Sequence, residues 1–155
     1  MILSNLFAMI VVIIIIWGTI LIINKPKIKD IISLFFIIYI VFLAYIVTSK
    51  QIIYFESNFT PFKEIFRYDF ASPLFFKNII GNVLLFIPLG FLIAYKLNLK
   101  HFYSIILLSL YFSVCIESIQ LIIGRVFDID DILLNTIGGI IGYLIFQIFF
   151  KKLKK

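Results

Sequence analysis

Five long apolar runs dominate this sequence, and they limit the folds that it can adopt. The runs cover residues 6–23, 31–48, 79–97, 102–123 and 132–150. Each is close to the about 20 residues that a helix needs to cross the hydrocarbon core of a bilayer. Isoleucine-rich segments favour strands in water, but inside lipid the backbone must satisfy its own hydrogen bonds, which selects helices. The sequence therefore predicts an all-α polytopic membrane bundle of about five transmembrane helices, forming a single membrane domain over residues 1–155.

Composition excludes an ordinary soluble domain. The chain is 63% hydrophobic and 14% charged, whereas soluble domains average about 45–50% apolar and about 25% charged residues. The net charge of +6 comes largely from lysines that flank apolar runs or end the chain as "KKLKK". Such lysines suit lipid headgroups better than a nucleic acid. The single cysteine, Cys115, has no partner for an intramolecular disulfide and no companions for a metal site.

Lysine and arginine predict the orientation in the membrane. With five spans, two connectors and the C-terminal tail share one side and carry Lys25, Lys27, Lys29, Lys96, Lys100, Lys151, Lys152, Lys154 and Lys155. The opposite side carries Lys50, Lys63, Arg67, Lys77 and Arg125 over a much longer stretch. The positive-inside rule then places the N-terminus outside and the C-terminus inside. The loop at residues 49–77 and the turn after the fourth span both face outward in this arrangement.

Polar residues gather near the outer ends of the last three spans. Four of the eight acids lie between residues 115 and 139. The candidate binding residues are Asn78, Asn82, Glu117, Gln120, Arg125, Asp128, Asp130, Asp131 and Asn135. Convergence of three helices at one depth predicts a polar pocket that opens to the outer leaflet.

Glu117 is the deepest acid of this set. It precedes Gly124 by seven positions, which places it roughly 10 Å below the helix end at 1.5 Å per residue. An acid at the bilayer centre costs about 3 kcal/mol on insertion scales, so it should face the bundle interior and find a partner. We expect that partner to be Arg125 or a lysine of the long loop.

Other members of the set admit a structural explanation. An aspartate at the start of the fifth span can cap that helix or complement its dipole. Gly138, Gly139 and Gly142 share one stripe with Asn135, and small residues favour close helix packing. Asn78 and Asn82 lie one turn apart and can equally be interhelical hydrogen-bonding residues.

The long loop is rich in phenylalanine. Phe62, Ile65, Phe66 and Phe70, with charged residues between them, have amphipathic helical spacing. Two interpretations remain open: a segment lying in the outer membrane interface, or a connector resting on the bundle.

Three segments stand out as motifs: "NFTPF" (58–62), "NIIGNVLLFIPLGF" (78–91) and "ESIQLIIGRVFDIDDILLNTIGGIIG" (117–142). Together they resemble the motifs of the VanZ-like family of small bacterial membrane proteins. The name-giving member of that family reduces susceptibility to the lipoglycopeptide teicoplanin, and no settled biochemical activity comes with the family. The resemblance implies a multi-pass protein of the bacterial cytoplasmic membrane.

Three functional hypotheses follow. The preferred one is a non-catalytic protein without cofactor that acts at the outer leaflet on membrane lipids, cell-wall lipid intermediates or lipoglycopeptides, in teicoplanin-type antibiotic resistance or cell-envelope homeostasis. The alternative is an intramembrane enzyme on a phospholipid or polyprenyl phosphate, with Mg²⁺ held by Glu117, Asp128, Asp130 and Asp131. A transporter is disfavoured because no charged residue lies in the inner half of a span, although an oligomer formed through the glycine stripe would weaken that argument.

Overall fold

The computed structural model describes residues 2–23, 27–49 and 57–152. It contains five long helices: α1 (Ile2–Ile23), α2 (Ile28–Ser49), α3 (Pro73–Leu97), α4 (Phe102–Ile122) and α5 (Ile129–Lys152). Within these residues there is no strand, only an isolated bridge between Asn58 and Asp128. The predicted all-helical fold is confirmed. The placement of the two termini across a membrane stays a prediction, and Lys25, Lys50, Lys154 and Lys155 lie outside the described residues.

The chain divides into two compact units, Met1–Ser49 and Lys50–Lys155. In the first unit α1 and α2 pack against each other. Gly18 of α1 lies against Leu34 of α2, and a methyl group at Gly18 would come within 3.3 Å of the Leu34 side chain. The side chain of Asp30 accepts a hydrogen bond from the Lys27 amide at 3.0 Å, which satisfies a donor ahead of the first turn of α2. The prediction of a single domain stays a prediction.

In the second unit α5 packs against both α3 and α4. Its glycines lie where those helices come closest. Gly138 faces the backbone of Val83, and Gly142 faces the backbone of Ile87. Gly139 is in contact with both Gly90 and Ser109. A Cβ atom at any of these glycines would overlap a neighbouring helix. The α5 helix therefore approaches α3 with backbone against backbone, and Gly139 leaves room for the Ser109 side chain of α4.

The surfaces of the helices are apolar. Four of them, namely α2 to α5, are long and apolar enough to cross a membrane by length and composition. Leu107 and Ile148 are 65% and 62% exposed, whereas Phe86, Leu89 and Ile105 fill the space between α3, α4 and α5 and are almost fully buried. Large apolar side chains on the outside and polar ones inside are the distribution that lipid as a solvent favours.

Local signals fix the helix ends around the polar residues. α3 begins at Pro73, six residues before the predicted start, because Ser72 caps it through a 3.1 Å bond from the Phe75 amide and Pro73 suits the first helical position. Its stretch Phe76–Ile80 is a π-helix. α4 ends in a left-handed Gly124 with φ 82°. There the Arg125 amide bonds back to the Gln120 carbonyl at 2.8 Å, which forms a Schellman motif.

Candidate functional site

Polar side chains of α3, α4 and α5 meet at one end of the second unit, together with the loop before α3. We call this group the polar centre. It comprises Asn58, Asn82, Glu117, Gln120, Arg125, Asp128, Asp130 and Asp131. The helices around it carry mainly apolar side chains, so the centre is a localised hydrophilic region within an apolar unit.

Glu117 lies at the middle of the centre and is only 1% exposed. The side-chain amide of Gln120, one turn later, donates to Glu117 Oε1 at 2.9 Å. The backbone amide of Asp128 donates to Glu117 Oε2 at 3.1 Å. Both carboxylate oxygens therefore accept a hydrogen bond, and Glu117 ties the end of α4 to the segment that begins α5.

Asn58 and Asp128 join the long loop to the turn before α5. The Asn58 amide donates to the Phe127 carbonyl at 2.9 Å, and the Ile129 amide donates to the Asn58 carbonyl at 3.0 Å. The Asn58 side chain adds a 2.9 Å bond to Asp128 Oδ1. These bonds join segments about 70 residues apart in the chain, so that a short parallel pairing fixes where the loop starts.

Asp130 holds the next part of the loop. Its carboxylate accepts hydrogen bonds from the amides of Phe62 (2.5 Å), Glu64 (2.7 Å) and Ile65 (3.4 Å). The side chain is 0% exposed. Phe62 has φ 68°, in the left-handed region, so the backbone turns there instead of continuing as a helix. Residues 61–67 form a series of turns around this carboxylate rather than the amphipathic helix that the spacing indicates.

Two further bonds connect the helices themselves. The Asn82 side-chain amide of α3 donates to Asp131 of α5. One turn deeper, Asn135 Nδ2 donates to Ser113 Oγ of α4 at 2.9 Å. Both asparagines are buried. Amide and hydroxyl groups of this kind are common between membrane helices because lipid offers them no partner.

Arg125 supplies positive charge at the edge of the centre. It is half-buried, and burial lowers the pKa of its guanidinium, while the carboxylates of Glu117 and Asp131 act in the opposite direction. Both acids therefore lie close enough to Arg125 to influence its charge. Burial also raises the pKa of Asp128, against hydrogen bonds from the Asp130 amide and Asn58 that favour its ionised form.

One buried polar atom of the centre lacks a partner. Gln120 is 6% exposed, and its Oε1 accepts no hydrogen bond from the described part of the chain. Its amide nitrogen is used by Glu117, so Oε1 lies on the same amide plane beside that carboxylate. A buried acceptor without a donor is costly, so such atoms usually have water or a bound group as a partner.

The loop presents aromatic rings on its outer face. Phe66 and Phe70 are 83% and 82% exposed. Between them, the guanidinium of Arg67 pairs with the Glu64 carboxylate at 2.9 Å. Burial and the Glu64 carboxylate raise the pKa of Tyr68, and a hydrogen bond with Asn78 opposes this shift. Asn78 thus contacts the underside of the loop.

The nine residues singled out from the sequence lie in three places. Asn82, Glu117, Gln120, Arg125, Asp128, Asp130 and Asp131 belong to the polar centre; Asn78 meets Tyr68; and Asn135 meets Ser113. Sequence reasoning missed two partners, Asn58 and Ser113. Ser109, Ser113 and Glu117 are spaced by four, which puts them on one face of α4 and could have signalled a buried polar stripe.

The carboxylates proposed for Mg²⁺ are directed to different donors. Asp130 faces amides of the loop, and Glu117 faces Gln120 and the Asp128 amide. Across residues 2–23, 27–49 and 57–152, no group of three His, Cys, Asp or Glu side chains is arranged to hold a metal ion.

A family model described as VanZ/LLP1 matches residues 31–150. That region contains α3 and α4, the whole polar centre, and most of α2 and α5. None of the curated proteins and none of the solved structures matches the chain.

Proposed function

The chain belongs to the VanZ/LLP1 family of multi-pass membrane proteins, and we propose that it acts without catalysis at the outer leaflet of a bacterial cytoplasmic membrane. There its polar centre engages the polar part of an amphiphile, such as a cell-wall lipid intermediate or a teicoplanin-type lipoglycopeptide. Engagement changes the access or arrangement of that amphiphile in the membrane.

One observation carries this proposal: buried and half-buried polar groups of three membrane helices converge beneath a loop. Asn82, Glu117 and Asp131 come from three different helices. Ionisable residues at membrane depth are costly and mark ligand sites by default. Among the described residues the centre holds carboxylates, amides and a guanidinium, without a hydroxyl or thiol paired with a general base. Binding is therefore better supported than covalent chemistry.

The loop supports an interfacial location for the site. The rings of Phe66 and Phe70 project from turns that are fastened to the centre through Asp130. Aromatic side chains with charged neighbours suit the boundary between headgroups and acyl chains. A ligand with a polar head and an acyl tail could then reach the polar centre and the aromatic loop together.

The test is drug susceptibility. Expression of the chain in a susceptible bacterium should raise the minimum inhibitory concentration of teicoplanin several-fold, and that of a glycopeptide without a lipid tail much less. Glu117→Gln and Arg125→Gln should remove the effect at equal membrane abundance. Ser118→Ala is the matched control, because Ser118 follows Glu117 but bonds only back to the Val114 carbonyl of its own helix. If expression of the original chain leaves the minimum inhibitory concentration of teicoplanin unchanged, the antibiotic is not the target. Full resistance in both variants would refute the site.

The proposed orientation has a separate test. In a Cys115→Ala background, single cysteines at Thr60 and at Lys100 mark exposed positions in the two connectors at opposite ends of α3. A membrane-impermeant maleimide added to intact cells should label the cysteine at position 60 and leave the one at 100 unlabelled. The reverse pattern would place the polar centre at the inner leaflet.

A further inference from the structure

The unsatisfied acceptor in the polar centre indicates what kind of group binds there. We propose that the centre binds a primary ammonium group, held by Gln120 Oε1 and the Glu117 carboxylate, with Asp131 as the second carboxylate. This inference rests on the proposed function and names the chemistry of its ligand.

The excess of acidic groups in the polar centre favours a cationic ligand. The polar centre holds four carboxyl groups, those of Glu117, Asp128, Asp130 and Asp131, and one guanidinium, that of Arg125, whose pKa is affected by Glu117 and Asp131. In a low-dielectric site an excess of one sign is expensive, so either a proton or a bound cation must compensate it. A ligand that neutralises the centre should therefore be positively charged where it enters.

Independently of charge, the hydrogen bonding of the Gln120 side chain favours a ligand that is a donor. Gln120 is 6% exposed and already donates to Glu117, so its free Oε1 requires a group that carries its own N–H or O–H. A primary ammonium has three donors and no acceptor, which suits an amide oxygen beside a carboxylate. A quaternary ammonium has the charge without the donors and would leave Oε1 unsatisfied.

A divalent metal fits these residues less well than an ammonium. The described ranges hold no group of three acidic, histidine or cysteine side chains in ligating positions. Asp130 is the most buried aspartate, and its carboxylate already accepts hydrogen bonds from amides of the loop. Fewer acceptors suffice for an ammonium, because each N–H needs only one.

Two sources supply the same chemistry: a free amine or the headgroup of an aminophospholipid. Thermal unfolding of the purified full chain distinguishes them. In detergent, ethanolamine should raise Tm by about 4 °C at ten times its Kd, and tetramethylammonium, which has neither N–H nor O–H, should not at the same concentration. In nanodiscs, phosphatidylethanolamine should raise Tm relative to phosphatidylcholine. A response only to the lipid assigns the headgroup, and a response only to ethanolamine assigns a soluble amine.

The comparison of ethanolamine with tetramethylammonium on the unmodified chain decides the proposal even if variants fold poorly. Equal responses to both would show that charge alone matters and would overturn the role of Gln120. An unchanged Tm with every amine would overturn the site. That result is expected if Glu117 is protonated and its O–H donates to Gln120 Oε1 instead. Gln120→Leu should abolish the ethanolamine response and Ser118→Ala should retain it; a full response in Gln120→Leu is equally fatal.

The ammonium assignment and the proposed function can fail separately. If teicoplanin resistance depends on Glu117 but no amine changes Tm, only the ammonium assignment is wrong. If amines bind but drug susceptibility never changes, the site is real and the antibiotic is not its target.

Discussion

The carboxylate of Asp130 accepts a 2.7 Å hydrogen bond from the backbone amide of Glu64, across 66 positions of the chain. This bond fastens the long aromatic loop to the start of α5. The fully buried Asp130 therefore acts as a structural clasp for the loop, whereas Glu117 and Asp131 bond to groups of the helices and the turn, so the two roles can be separated by mutation.

Replacing Asp130 should release the loop. Asp130→Ala removes the acceptor for three amides, and we expect the free energy of unfolding to fall by about 3 kcal/mol, since hydrogen bonds to a charged group contribute about 1.5–3 kcal/mol each but the loop amides regain water. Trypsin should then cut at Lys63 or Arg67 much faster than in the original chain. Asp69→Ala, an exposed acid in the same loop, is the control. Equal cleavage rates in the two variants would contradict the clasp.

The close approach of α3 and α5 should not tolerate a methyl group. A Cβ at Gly90 would overlap the Gly139 backbone, which cannot move aside as a side chain can. We expect Gly90→Ala to reduce stability by about 1–3 kcal/mol, the usual cost of overpacking. Gly81→Ala on the same helix is the control, because the nearest atom to its Cβ is 3.7 Å away. Thermal unfolding in detergent measures both, and similar midpoints would count against the packing.

The bond between Asn82 and Asp131 should appear as an energetic coupling. A double-mutant cycle of Asn82→Ala and Asp131→Ala isolates the pair, and we expect about 0.5–2 kcal/mol, the range for hydrogen bonds between membrane helices. A second cycle of Asn82→Ala with Ser113→Ala serves as the control. Ser113 bonds to Asn135 instead, so those two changes should add. Additive effects in the first cycle would mean that the contact contributes nothing.

Asp128 should make the protein less stable as the pH rises. Burial raises the pKa of its carboxyl group in the folded state. The folded chain therefore binds this proton more strongly than the unfolded one, and the stability from this group is present below the ordinary aspartate pKa and lost as the pH rises through the folded-state value. Asp128→Asn keeps an oxygen for Asn58 and the Asp130 amide.

The measurement for Asp128→Asn is Tm from about pH 4 to about pH 7. The variant should match the original chain at the acidic end and exceed it at neutral pH. Asp69→Asn, at an exposed acid of the loop, is the control. A variant that is less stable at neutral pH would show that the ionised form of Asp128 is the one the fold requires.

Hydropathy located the helices but not their ends. The third span was predicted from residue 79, whereas α3 starts at Pro73 because Ser72 and Pro73 form a capping pair that a hydropathy window does not detect. The conformation of the loop could not be predicted from local spacing. Phe62 to Phe70 have helical spacing, but the amides that a helix would use are taken by Asp130, and a contact across 66 residues leaves no local pattern.

The candidate site could be located from the sequence, but its pairing could not. Depth and helical spacing bring Glu117, Gln120 and Asp131 to one end of the bundle. Arg125 or a lysine of the long loop is the partner that the sequence predicts for Glu117. Arg125 does interact with Glu117 electrostatically, but the hydrogen bonds from Gln120 and the Asp128 amide to its carboxylate are not predicted. That amide points inward only because Gly124 turns the chain at the end of α4, which is a property of backbone geometry rather than residue type.

The order in which the chain is made has a consequence for its insertion. Asn58, Asn82 and Glu117 leave the ribosome before the segment that holds Asp128 and Asp131, to which they bond. Until α5 enters the bilayer, these earlier groups lack their permanent partners. A nascent chain truncated before residue 128 should thus be retained by the insertion machinery or degraded by membrane proteases, and insertion of α5 is the step that completes the polar centre.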